Sequence, residues 1–103
     1  MEKIISKAGN FLVYQDGRLL ISGDLNFLTV MSIWQQSLPW LVKLNELHFD
    51  LTRVHSSNSA GLALLLQWLK FAKKSNKPIQ FTEVPAQLGT IIKAAGLQKM
   101  FFI

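Results

Sequence analysis

Between Leu47 and Thr82 the sequence spells out a strand, a long helix and a second strand in succession. That unit limits the chain to folds whose sheet is at least partly parallel, with helices packed against it. Leu47-His48-Phe49-Asp50-Leu51 reads as a short strand near the centre of the sheet. A helix begins at Ser59 or one residue to either side, and Leu62, Leu65, Leu66 and Leu69 recur along it at core spacing. Asn76-Lys77-Pro78 closes the helix, because proline cannot continue one. Ile79-Gln80-Phe81-Thr82 then alternates as a strand does.

The flanking segments extend the same alternation. Phe11-Leu12-Val13-Tyr14 and Leu19-Leu20-Ile21-Ser22 enclose Gln15-Asp16-Gly17-Arg18, and Asp-Gly between apolar runs signals a hairpin. Gly23-Asp24-Leu25-Asn26 is expected to break the strand and offer an N-cap. Phe27, Val30, Met31, Trp34 and Leu38 follow at the spacing of one helix face, with Pro39 stopping or bending the helix near its end. Pro85 suits the first turn of a further helix that runs through Leu88, Ile91, Ile92 and Ala95 to a Gly96 cap. Met100-Phe101-Phe102-Ile103 reads as a last short strand or as a tail packed on the core. The order is β-β-α-β-α-β-α, with room for one more strand at each end. This is an α/β fold: a mixed sheet of four to five strands carrying three main helices, with residues 1–103 forming one domain.

Half the 103 residues are apolar and 17% are charged, which argues against disorder and leaves apolar surface for a partner. The absence of cysteine excludes a disulfide scaffold, a thiolate metal site and a cysteine nucleophile. The opening residues, Met1 to Gly9, hold no apolar run long enough for a signal peptide, and no stretch approaches a membrane span. A cytoplasmic location is the resulting expectation. The net charge of +5 fits nucleic acid, anionic lipid or an acidic protein. Its one cluster, Lys70, Lys73, Lys74 and Lys77, has no interleaved arginines or stacking platform, and reads as a solvated helix end favoured by the dipole.

Signals for catalysis are sparse. Glu2, Asp16, Asp24, Glu46, Asp50 and Glu83 are scattered, with no pair spaced for acid–base work. His48 belongs to a strand. His55 lies in the polar stretch Thr52-Arg53-Val54-His55-Ser56-Ser57-Asn58, read as a loop, and the two histidines match no zinc pattern. A Ser59–His55 pair lacks a third group to orient it. No phosphate-binding glycine loop is present. No catalytic residue, metal or cofactor is expected.

The end of that stretch, Ser56-Ser57-Asn58-Ser59-Ala60-Gly61, carries more information. Asn or Ser is the expected N-cap, which accounts for one or two of these residues but not all of them. Gly61 just inside the helix costs about 1 kcal/mol against alanine and so suggests the close approach of another backbone. A bulky residue at Gly61 is expected to block a partner while the domain stays folded. The helix N-terminus also offers unpaired N–H groups and positive dipole character, so a phosphate on Ser59 would be tolerated locally. Along the same helix, Leu64, Trp68 and Phe71 lie across from the Leu62 stripe. They either pack under a neighbouring helix or form an exposed anchor patch.

Asp50-Leu51-Thr52-Arg53-Val54, four further residues, and then Ser59-Ala60-Gly61-Leu62 resemble the signature of STAS domains, the sulfate-transporter and anti-sigma-factor-antagonist modules. The order of elements matches that fold across nearly the whole chain. Within the family, Gly61-Leu62-Ala63-Leu64-Leu65-Leu66 and Gly23-Asp24-Leu25-Asn26 followed by Val30 and Ile33-Trp34 are similar to the MlaB-type branch. Those are small cytoplasmic STAS subunits of the Mla phospholipid-transport ABC complexes of Gram-negative bacteria. Ser59 falls where the family has the Ser or Thr that is phosphorylated in anti-sigma antagonists, and Gly61 and Leu62 match. Asn58 stands where the family commonly has Asp, and Ala60 where Ser or Gly is frequent; losing the acid removes a charge that could orient the hydroxyl.

The resemblance implies a partner-binding surface of Ser57, Asn58, Ser59, Ala60, Gly61, Ala63 and Leu64, with Ser59 as the candidate phosphorylation position. The implied partner is the ATPase subunit of the ABC complex, which would bring the protein to the inner membrane, and no nucleic acid is implied. The implied role is non-catalytic support of ATPase assembly and activity in maintaining outer-membrane lipid asymmetry. The alternative is an anti-sigma-factor antagonist regulated at Ser59, and a Ser59–His55 hydrolase ranks last.

Overall fold

The structure, a computed structural model, describes residues 11–101. A hairpin opens it: β1 (Phe11–Gln15) pairs antiparallel with β2 (Arg18–Leu25). Asp16 and Gly17 turn the chain with φ of 53° and 80°, the left-handed pair that a two-residue hairpin loop demands. Then come α1 (Val30–Lys43), β3 (Leu47–Ser57), α2 (Ser59–Ser75), β4 (Ile79–Thr82), α3 (Ala86–Ala94) and the short α4 (Gln98–Phe101). The sheet order is β1-β2-β3-β4, with β3 parallel to both neighbours. The mixed α/β sheet expected from the sequence is therefore present, with four strands among the described residues.

β3 and α1 differ most from their sequence reading. The polar stretch Thr52–Ser57 is strand, not loop: β3 continues through it, with Arg53, Val54, Ser56 and Ser57 opposite Ser22, Gly23, Asp24 and Leu25. The register shifts twice along this pairing, between Leu20 and Ser22 and again between Gly23 and Asp24. Each shift adds a residue on β3, the mark of a bulge, and erases the alternation by which a strand is recognised. Gly23, at φ 98°, sits beside the second shift. The segment Gly23–Leu25 accordingly lies within β2 rather than breaking it. The turn after it is held by Asn26, whose side chain accepts from the Leu28 N–H (2.9 Å), while the helix N-cap itself is Thr29.

The second difference is the buried face of α1. Phe27, Met31 and Leu38 are exposed, and the buried stripe is Ile33, Ser37 and Leu41. The helix runs through Pro39 to Lys43 rather than ending at it. Ser37 is tolerated in the core because its hydroxyl is paired twice: it donates to the Trp34 carbonyl (2.6 Å) and accepts from the buried Trp68 indole N–H (2.9 Å). Trp68 in turn stacks on Phe49 of β3 with ring centroids 3.9 Å apart. One chain of contacts thus ties α1 to α2 and α2 to the sheet.

This settles the two readings of Leu64, Trp68 and Phe71. Leu64 and Trp68 are buried and Phe71 half-buried, so the residues pack inside the domain. Leu62 and Leu65 are buried as expected, whereas Leu66 and Leu69 are only half-buried. The core is one cluster that joins them to Leu19, Ile21, Leu25, Leu47, Leu51, Leu88 and Ile92.

The ends of the helices are closed by local chemistry. Asn76 ends α2 in the left-handed conformation (φ 55°), and the Lys77 N–H returns to the Ala72 carbonyl at 2.9 Å. Lys77 is not a solvated cation: its amino group donates to the Leu41 and Val42 carbonyls at 2.6 and 3.0 Å, capping the C-terminal end of α1. Lys70, Lys73 and Lys74 are exposed. Pro85 is the N-cap of α3 rather than its first helical residue, and Gly96 (φ 73°) follows the Ala95 cap. The C-terminal segment is helical up to Phe101, which packs against Phe81 with centroids 5.6 Å apart. Phe102 and Ile103, and the extra N-terminal strand, lie outside the described residues.

Candidate functional site

The β3–α2 junction is assembled from the ends of β2 and β3 and the starts of α2 and α3. Where β3 ends, the Asn58 N–H donates to the Leu25 carbonyl at the end of β2 (3.0 Å). The Asn58 side chain accepts from the Ala60 N–H (2.8 Å) and so caps α2. The Ser57 N–H donates to Gln87 Oε1 of α3 (2.9 Å), and the Ser57 hydroxyl donates to the Asn58 carbonyl (3.0 Å). Beside them, the Ser56 hydroxyl donates to Asp24 Oδ1 (2.8 Å). Most of the serines that exceed a simple cap are therefore used in fixing the junction.

Gly61 is where the structure corrects the sequence reading most. A Cβ built there would lie 2.0 Å from Ser57 Oγ and 3.2 Å from Leu25 Cβ. The close approach inferred for Gly61 is real, but it is made by side chains of the domain itself. A bulky residue at Gly61 would disrupt the junction before it met any partner, so the expectation of a folded, binding-deficient variant is withdrawn.

The seven residues of the expected partner surface divide accordingly. Ser57, Ala60, Gly61 and Leu64 are buried, and Asn58, Ser59 and Ala63 are exposed. Ser59 and Ala63 are one helical turn apart, and Gln67, also exposed, is the next turn on. Together they form a surface strip along α2. Ala63 and Gln67 also line a groove of ≈ 250 Å³ between α1 and α2, with Leu64, Val30, Met31 and Trp34 supplying the rest of its wall. The groove is mostly apolar, and the small Ala63 side chain leaves it open. Gln67 was not singled out in the sequence; its signal was its helical spacing from Ser59 and Ala63.

No acidic residue occupies the first turn of α2, so nothing on the helix offsets its positive end. His55 is a strand residue on β3 rather than a loop residue, and no hydrogen bond joins it to Ser59 among the described residues. His48 lies on β3 beside β4, with its Nε2 3.0 Å from Thr82 Oγ1. No group of three His, Asp or Glu side chains is placed to hold a metal among the described residues.

Asp50, from the Asp-Leu pair of the signature, is a buried anchor at the other end of the β2–β3 pairing. It accepts from the Arg18 guanidinium (2.7 Å) and from both the N–H and the hydroxyl of Thr52. Burial works against its charge, but the Thr52 hydrogen bonds and the Arg18 cation outweigh it and hold the carboxyl below the usual range.

With this geometry in place, comparison with known proteins is informative. Residues 13–103 match the family model described as Mlab, STAS domain. The chain belongs to the STAS domain family. No curated protein matches the sequence significantly. Among solved structures, an anti-sigma factor antagonist from Mycobacterium paratuberculosis superposes with a TM-score of 0.73 at 19% identity, over 96% of this chain and 88% of that one. That likeness is one of fold. It places this STAS domain's sheet and helices in the same arrangement as the antagonist's. Among the described residues, no helix of the domain is long and apolar enough to cross a membrane.

Proposed function

We propose that this STAS domain is a non-catalytic docking subunit that binds the cytoplasmic ATPase of an Mla-type phospholipid-transport ABC complex. In that role it supports assembly and activity of the ATPase at the inner membrane, and through it outer-membrane lipid asymmetry. The observation that carries the reading is the continuity of the surface strip Ser59-Ala63-Gln67 with the apolar groove walled by Val30, Met31 and Trp34. A polar helix start beside an open apolar groove suits a protein surface that inserts a side chain and hydrogen-bonds around it. The likeness of residues 61–66 and 23–26 to the MlaB-type branch, whose implied partner is the ABC ATPase, favours an ATPase as the occupant, and the matched family model carries the MlaB description.

The test is affinity purification from the native host. The tagged domain is expected to bring down an ABC ATPase, and Ser59→Arg to lose it while circular dichroism stays unchanged. Normal recovery of the ATPase with Ser59→Arg would remove the strip from the interface.

The fold likeness to an anti-sigma factor antagonist and the exposure of Ser59 support a second reading, a switch phosphorylated at Ser59. Here Asn58 acts as the cap of α2, and neither it nor the first turn of the helix carries a carboxylate. Mass spectrometry of the protein from cells separates the readings, since stoichiometric phosphate on Ser59 supports the switch.

A further inference from the structure

A row of exposed apolar side chains runs along the solvent side of α1, beside the exposed Ser32, Pro39 and Lys43. Leu28 (93% exposed), Met31 (63%), Leu38 (39%) and Val42 (73%) all point outward, with Gln35 at the centre of the row. Leu28 belongs to the turn that leads into the helix, where the Val30 N–H already bonds the Asn26 carbonyl in helical fashion (3.1 Å). The steps between these five residues are three, four, three and four. On a helix of 3.6 residues per turn they fall within about 80° of arc, on the side away from Ile33, Ser37 and Leu41. That is the spacing of a helix-pairing seam, and a lone polar residue at its middle is the kind that sets register in such pairs.

We infer that this seam pairs with α1 of a second copy of the chain, antiparallel, about a two-fold axis at Gln35. The row reads almost the same from either end. Turning it about Gln35 sets Leu28 opposite Val42, Met31 opposite Leu38 and Gln35 opposite its counterpart, as a two-fold interface requires. Charge favours the same occupant. The only ionisable side chain on α1 is Lys43, whose amino group lies 5.6 Å from the Trp40 ring centre, so two copies meet along this face without like-charge contact. A membrane-surface helix would be flanked by several Lys or Arg, and α1 carries none along its length before Lys43. Two helices of this length meeting alone form a small interface, so the dimer is a weak one that forms at high protein concentration. The seam shares Met31 with the groove but is otherwise separate from it, and does not depend on the ATPase reading.

Sedimentation equilibrium of the full chain over a concentration series is the test. The wild type is expected to show a monomer–dimer equilibrium. Leu28→Lys or Val42→Lys should weaken it by about tenfold or more, an effect near 1.4 kcal/mol. Both side chains face solvent, so the fold is retained, which circular dichroism checks. Leu28→Glu combined with Val42→Lys in one chain should restore the dimer, because antiparallel pairing sets each introduced carboxylate against an introduced amine. A parallel pair would instead set like charges together. A wild type that stays monomeric at every concentration overturns the inference. So does a dimer that ignores the single substitutions, or a double variant that dimerises no better than they do. A monomer that floats with phosphatidylglycerol vesicles would assign the face to a membrane and overturn it as well.

Discussion

Gly61 of α2 is held so close to Ser57 at the end of β3 that a side chain on the glycine would collide with the serine hydroxyl, 2.0 Å from the built Cβ. Alanine is the better helix former by about 1 kcal/mol, yet here the collision opposes that gain. Gly61→Ala is expected to destabilise the domain by about 1–3 kcal/mol through overpacking against Ser57 and Leu25. Adding Ser57→Ala should recover part of the loss, since it removes the nearest atom and leaves Leu25 Cβ at 3.2 Å. Gly89→Ala in α3 is the control. Nothing lies within 4 Å of its built Cβ, so it should stabilise by about 0.5–1 kcal/mol. Urea unfolding of these three variants beside the wild type measures both signs.

Asp50 makes the fold acid-sensitive in a defined direction. Its folded-state carboxyl titrates below the usual value, held there by Thr52 and Arg18 against the effect of burial. The unfolded chain, with an ordinary aspartate near pH ~3.9, therefore binds the proton more readily. The contribution of Asp50 is fully present above about pH 4 and is lost as pH falls through the lowered folded value. Arg18→Met should raise the acid-unfolding midpoint, because Asp50 then keeps its burial and loses its cation. Circular dichroism during acid titration checks this; an unchanged midpoint would mean that Thr52 alone holds the carboxylate.

Much of this architecture is legible in the sequence because it is local. The Asp16-Gly17 turn, the start of α2 at Ser59, the Asn76 and Gly96 stops and the alternation of strands with helices each depend on a few neighbouring residues. What is not legible depends on contacts between distant ones. Thr52 to Ser57 become a strand only by pairing with β2, through two bulges that hide the pattern. The buried face of α1 is obscured because the helix is apolar on two sides, and because its core position Ser37 looks polar until Trp68 is found beside it. The site was legible in part for the same reason. The signature marks Ser59 and Gly61, but that Gly61 serves an internal fit, and that Ala63 and Gln67 border a groove, needs Leu25, Met31 and Trp34 in place.

The pairing of Ser37 with Trp68 gives a third expectation. Ser37→Ala leaves the indole N–H of a fully buried tryptophan without its partner, 2.9 Å away in the native domain. An unsatisfied buried donor costs about 1–3 kcal/mol. Trp68→Phe removes the donor as well, so the double variant should lose less than the sum of the singles. Strict additivity in guanidinium unfolding would show that the bond contributes nothing beyond packing.

Ala63 offers the sharpest test of the proposed docking surface because it separates binding from folding. Its side chain is exposed and borders the ≈ 250 Å³ groove, whose far wall is Val30, Met31 and Trp34. Ala63→Phe would place a ring over that space without entering the core, so stability should change by no more than about 0.5 kcal/mol. If a partner side chain occupies the groove, the ring competes with it directly, and affinity for the purified ATPase should fall by about tenfold or more in calorimetry. Lys74→Ala, on the exposed lysine cluster near the end of the same helix, should leave affinity unchanged. Ala63→Phe binding as tightly as the wild type would move the docking surface off the α1–α2 groove, whatever the outcome at Ser59.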